Sequence, residues 1–220
     1  MEDVKQLKAV KNRKPITTHF TKYHTIYIFT IILFITGIIF GAIIVNSMNF
    51  VQKQDLYFYL ERFFLSYLQE DAVTHESLFK NAFFYHIQFL ALLFFLGLAV
   101  IGLPIIWVLL FVKGVAIGFT VGFFVNQLGI KGLLFSFSAI APQNLIIIPI
   151  YIIASCFAMI FSLTLLQSMF SKRYKQPILQ IFYRYISVFI GLLIVVSIAA
   201  LLESFVSFET MKIISDRIIN

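Results

Sequence analysis

The sequence predicts an all-α, polytopic membrane bundle of about five spanning helices, and three observations carry that expectation. Hydrophobic residues make up 60% of the 220-residue chain and charged residues only 12%, against about 25% charged in ordinary soluble domains. A soluble core of this size could not hide so much apolar surface, so lipid has to be the solvent for most of it. Long charge-free runs recur along the chain, beginning with Ile26 to Val45. Within Lys113 to Asn144, Gly114, Gly118 and Gly122 recur every fourth residue, which stacks them on one helix face where two backbones can approach closely in a bilayer.

The elements follow in order. Residues 1–24 form a basic segment with Lys5, Lys8, Lys11, Arg13, Lys14 and Lys22. The apolar run behind it is longer than the roughly 7–15 residues of a signal-peptide core, and no small-residue cleavage site follows. It is read as a retained first span with its amino end in the cytoplasm, and Gly37 and Gly41 within it form a lone GxxxG. Residues 46–83 turn acidic, which places this loop outside. Leu56, Tyr59, Leu60, Phe63, Phe64, Tyr67 and Leu68 recur there near helical spacing, with Asp55, Glu61, Arg62, Gln69 and Glu70 between them. Two readings stay open for it: a helix lying in the headgroup layer, or a docking surface for an extracellular partner made by Leu56, Tyr59, Glu61, Arg62, Phe63 and Tyr67.

A second span begins near Phe83 and ends at the Gly102-Leu103-Pro104 break, and a third runs from Ile105 to Asn126. Asn126, Gln127 and Gly129 end it. Residues 129–143 read as a short interfacial or re-entrant segment before a fourth span, Asn144 to Phe170. Pro149 removes an N–H early in that span, so this end is expected to be irregular. Asn126, Gln127, Pro142, Gln143, Asn144 and Pro149 then form a broken-helix polar site. Lys172, Arg173, Lys175 and Arg184 place the next loop inside. A fifth span runs from about Tyr185 to Leu202. The domain division is thus residues 1–24, a single transmembrane domain over 25–205, and a short amphipathic tail over 206–220, with the carboxyl end outside.

The net charge of +7 does not point to nucleic acid, because ten of the basic residues sit in two blocks beside apolar spans. Positive-inside orientation and membrane lipids explain them better. The lone Cys156 cannot form an internal disulfide. No HExxH, GxSxG, P-loop or CxxC is present, so no cofactor, metal or catalytic group is expected and the chain reads as a non-enzyme. Lys113 is the one charge inside an apolar stretch, and two readings stay open for it: a functional charge within the membrane, or a side chain whose stem snorkels from the cytoplasmic half. His86, with Asn81 and Gln88, stands at the start of the second span, a helix-end position, and Glu203 only at the outer edge of the fifth. The glycine face permits a homo-oligomer.

The segments IIFGAIIVNSM (38–48), QKQDLYFYLERFF (52–64), IGLPIIWVLLFVKGVAIGFTVGFFVNQLG (101–129) and APQNLIIIP (141–149) resemble the stage II sporulation protein M family. The resemblance implies a role in engulfment of the forespore, as a non-catalytic scaffold that localises the peptidoglycan-cutting stage II sporulation proteins D and P at the septal membrane. Wider relatives carry Pro-His-Gly-x-x-Glu-x-Pro where this chain has Pro142-Gln143-Asn144 and Ile147 before Pro149. It therefore lacks the two titratable side chains of that pattern, which fits a scaffold. The alternative is a small transporter or lipid-handling permease with a cavity near Pro142–Pro149 and Lys113. Polar residues at mid-depth would mark a permease, and polar residues outside the membrane a scaffold.

Overall fold

The computed structural model describes residues 15–69, 75–99, 101–139, 141–170 and 178–219. Among the described residues seven helices follow one another: α1 Pro15–Ser47, α2 Phe50–Gln69, α3 His75–Leu98, α4 Gly102–Leu128, α5 Ile130–Ala139, α6 Ala141–Phe170 and α7 Ile178–Ile219. No strand occurs among the described residues. Five stretches are long and apolar enough to cross a membrane: Tyr23–Ser47, Glu76–Leu98, Gly102–Leu128, Asn144–Phe170 and Ile178–Phe205. The shortest has 23 residues, about 34 Å at 1.5 Å per residue, enough for a hydrocarbon layer of about 30 Å.

Three boundaries differ from the sequence reading, each for a local reason. The second span starts at Glu76 rather than near Phe83. Glu76 and Lys80 pair at 2.7 Å across one turn, so the helix can begin on charged residues without leaving them unmatched. The fifth span starts at Ile178, and its helix continues past Leu202 to Ile219. Glu203 does not end it, because its carboxylate is taken up inside the bundle. Pro149 does not break the fourth span: α6 is one helix from Ala141 to Phe170 with Pro149 inside it. Between Gly129 and α6, residues 130–139 form the short helix α5.

Turn chemistry fixes the ends. Asn49 and Gln52 cap α2 reciprocally, with Asn49 N–H donating to Gln52 Oε1 at 3.0 Å and Gln52 N–H to Asn49 Oδ1 at 2.9 Å. Gly129 stops α4 at φ 59°, a left-handed conformation that a side chain would resist, and its N–H returns to the Val125 carbonyl at 2.9 Å. α1 bends once, at Tyr23 (φ −115°, ψ 18°), just as the apolar span begins.

α6 is the central helix. Most of its span is buried, whereas the other four bury a third of theirs or less. It contacts α1, α3, α4 and α7, while α1 lies along α4 and α3 packs chiefly on α7. Leu90, Leu93, Ile106, Ala154, Cys156, Ala158 and Val196 fill the main core. A stack of Phe94, Tyr185 and Phe161, with centroids 5.1 and 4.5 Å apart, ties α3 to α7 and α6. The Tyr185 hydroxyl donates to the Phe94 carbonyl at 2.9 Å. Ser162 donates to the Ala99 carbonyl at 3.1 Å, anchoring α6 to the turn between α3 and α4.

Candidate functional site: an ionisable cluster inside the bundle

Three helices bring His86, Tyr151 and Glu203 together. His86 lies on α3, twelve residues before Leu98, and is buried. Its Nδ1 is 2.6 Å from the Tyr151 hydroxyl on α6, and its Nε2 is 2.7 Å from Glu203 Oε2 on α7. Both ring nitrogens are therefore used. A neutral imidazole satisfies the set by accepting from Tyr151 and donating to Glu203. An imidazolium satisfies it by donating to both. The pair is enclosed, with His86 5% and Glu203 22% exposed in their side chains, so water screens it little.

Lys113 joins this layer from α4, eleven residues after Gly102. Its ammonium donates to the Tyr85 hydroxyl at 2.6 Å. It also lies 4.1 Å from the Tyr85 ring centroid, 4.8 Å from Phe89 and 5.2 Å from Tyr151. Ring faces stabilise a desolvated cation by roughly 2 kcal/mol, so the aromatic residues around Lys113 are what hold its charge among apolar helices. Tyr151 is the shared element, bonded to His86 and facing Lys113.

This layer corrects the sequence reading at three residues. His86 is not a helix-end residue but sits well inside α3. Lys113 does not snorkel to an end of its helix; its donor bond goes to Tyr85, which lies at matching height on the neighbouring antiparallel helix. Glu203 is drawn into the bundle. No single motif links positions 85, 86, 113, 151 and 203, so spacing could not group them. The available signal was that ionisable residues within apolar spans face the interior and find partners. Among the described residues no group of three or more His, Cys, Asp or Glu side chains is arranged to hold a metal.

The other sequence-designated residues fall elsewhere. Gly114, Gly118 and Gly122 face α1. A Cβ on Gly114 would meet the Phe34 carbonyl, one on Gly118 the Ile38 carbonyl, and one on Gly122 would lie 3.1 Å from Ala42 Cα. Gly37 and Gly41 answer them, with Cβ positions that would strike the Phe111 and Val115 carbonyls. Asn126, Gln127, Pro142 and Pro149 are exposed, and Asn144 is half-buried. Pro149 stands two residues before Tyr151 on α6, and none of these side chains enters the hydrogen bonds of the ionisable layer. Ile147 is buried against Phe34, Leu110, Tyr151 and Ala199, one turn before Tyr151, so hydrocarbon fills the position where the wider pattern has Glu. The side chains of Gln143, Glu61, Phe63 and Tyr67 lie outside the described residues. On α2, Leu56 is half-buried, and Tyr59 and Arg62 are exposed.

Five apolar helices closed around a hydrogen-bonded ionisable layer define a multi-pass helical membrane protein. A family model described as stage II sporulation protein M matches residues 30–208, and the chain belongs to that family. No curated protein and no solved structure matches it.

Proposed function

We propose that this sporulation-family membrane protein is a non-catalytic scaffold of the engulfment machinery. It holds the peptidoglycan-cutting stage II sporulation proteins D and P at the septal and engulfing membrane. The observation that carries the reading is the surface of α2. This helix stands outside the five spanning helices and touches them chiefly at α7. Phe50, Val51, Tyr57, Phe58 and Tyr59 remain exposed along it, beside the exposed charges Asp55 and Arg62. Aromatic side chains rimmed by charge are the composition of a protein-binding face. The basic blocks at residues 5–22 and 172–184 put both on the cytoplasmic side by the positive-inside rule, so α2 lies on the peptidoglycan side, where its partners act.

The test exchanges charge along α2. The double variant Glu61→Lys, Arg62→Glu should reduce recovery of the two hydrolases in pull-downs from sporulating cells at least tenfold, with the protein itself at its normal level. Undiminished recovery would remove α2 from the interface.

The layer of His86, Glu203, Tyr151 and Lys113 favours a second reading, a small permease, since titratable groups within spans mark transport pathways. Its site would centre on Lys113 and its neighbours rather than on the polar residues at 142–144. Purified protein in liposomes separates the two: pH-driven solute movement abolished by His86→Gln supports the permease.

A further inference from the structure

We propose that the face of α4 centred on Lys113 docks a membrane-spanning segment of another protein, one that presents a carboxylate at the depth of Lys113. The proposal rests on the scaffold reading and adds to it a second contact, inside the membrane.

Charge is the first argument. Among the described residues the ion pairs are Lys80 with Glu76 and His86 with Glu203. Glu203 is committed to His86, and Lys113 has no carboxylate within ion-pair distance. Its neighbours are one phenolic hydroxyl and three ring faces, which stabilise the cation without neutralising it. Two of its three N–H donors have no hydrogen-bond acceptor here. A carboxylate supplies both the missing acceptors and the missing charge.

Access is the second. Lys113 is only half-buried, and Tyr85 is 57% exposed. One and two turns further along Lys113's own face stand Ala116 and Thr120, both exposed. The Thr120 hydroxyl is turned back onto the Ala116 carbonyl at 2.9 Å. These side chains are short, so a second helix backbone can come close beside the ammonium. α1 does not cover this face, because it occupies the side of α4 that carries Gly114 and Gly118.

Depth decides which anion. Lys113 stands eleven residues from Gly102 and Tyr85 thirteen from Leu98, so both lie about 17–20 Å into their helices. A lipid phosphate is held in the headgroup layer, whereas a side chain on a spanning helix can sit at any depth.

The experiment places photo-reactive benzoylphenylalanine at Ala116 of the full-length protein in sporulating cells and sequences the crosslinked peptide. The expected product joins Ala116 to a spanning segment of a different protein that contains Asp or Glu. Its yield falls at least tenfold in Lys113→Met and returns in Lys113→Arg. Replacing the partner's carboxylate by its amide leaves this chain untouched and should lower the yield by the same factor, which keeps the test valid if Lys113→Met fails to accumulate. Crosslinks only to lipid, to a second copy of this chain or to a segment lacking a carboxylate would each overturn the proposal, as would a yield indifferent to Lys113→Met. Hydrolase pull-down is read from the same cells. Normal recovery without the acidic crosslink overturns this docking face alone, and loss of both overturns the scaffold reading too.

Discussion

His86 connects the helices most economically, since one imidazole bonds α3 to both α6 and α7. Removing it strands a hydroxyl and a carboxylate in a dry layer. Leaving a buried hydrogen-bonding group without its partner costs about 1–3 kcal/mol, so His86→Ala should lower the thermal midpoint in detergent. Glu203→Gln, which keeps an acceptor for Nε2, should lower it much less. The double variant His86→Ala, Glu203→Ala should cost well below the sum of the singles, as expected for two members of one network. Additive losses would show that the two side chains act independently. At this scale the sequence was least legible. His86, Lys113 and Glu203 each stand alone in their own apolar run, and nothing in the neighbouring sequence of any one of them points to its partner. What joins them is the antiparallel pairing of helices far apart in the chain, which no local pattern encodes.

The contact between α1 and α4 depends on missing side chains. Gly37 and Gly41 on one helix and Gly114, Gly118 and Gly122 on the other bring backbone against backbone, and a Cβ at Gly118 would run into the Ile38 carbonyl. Backbone cannot yield as a flexible side chain can, so Gly118→Leu should exceed the roughly 1–3 kcal/mol usual for overpacking and deplete folded protein in the membrane. Gly191→Leu is the matched control, because a Cβ there meets nothing within 4 Å, and it should accumulate normally. Equal levels of the two variants would contradict the packing described for α4. Here the sequence was more informative: small residues at four-residue spacing in an apolar run identify a close-approach face, although they do not name the helix that fills it. Pro149 was misleading. A missing N–H near the start of a helix removes one bond, and α6 is enclosed by α1, α3, α4 and α7, whose packing keeps it continuous around the proline.

At the scale of the whole molecule, five charge-poor runs were enough to fix the class, because only helices that satisfy their own backbone can cross hydrocarbon. Their order, and a short separate segment between the third and fourth spans, followed from turn residues, whereas the helical form of that segment, α5, did not. The boundaries slipped where charged residues found partners, at Glu76 with Lys80 and at Glu203 with His86. The result is a bundle with one polar layer inside it and one aromatic helix, α2, outside it. The most direct measurement follows fluorescently tagged stage II sporulation proteins D and P in sporulating cells that lack this protein. The scaffold account predicts that both disperse from the septal membrane and that engulfment stalls, with the wild-type chain restoring both. Hydrolases that remain at the septum while engulfment runs to completion would contradict it.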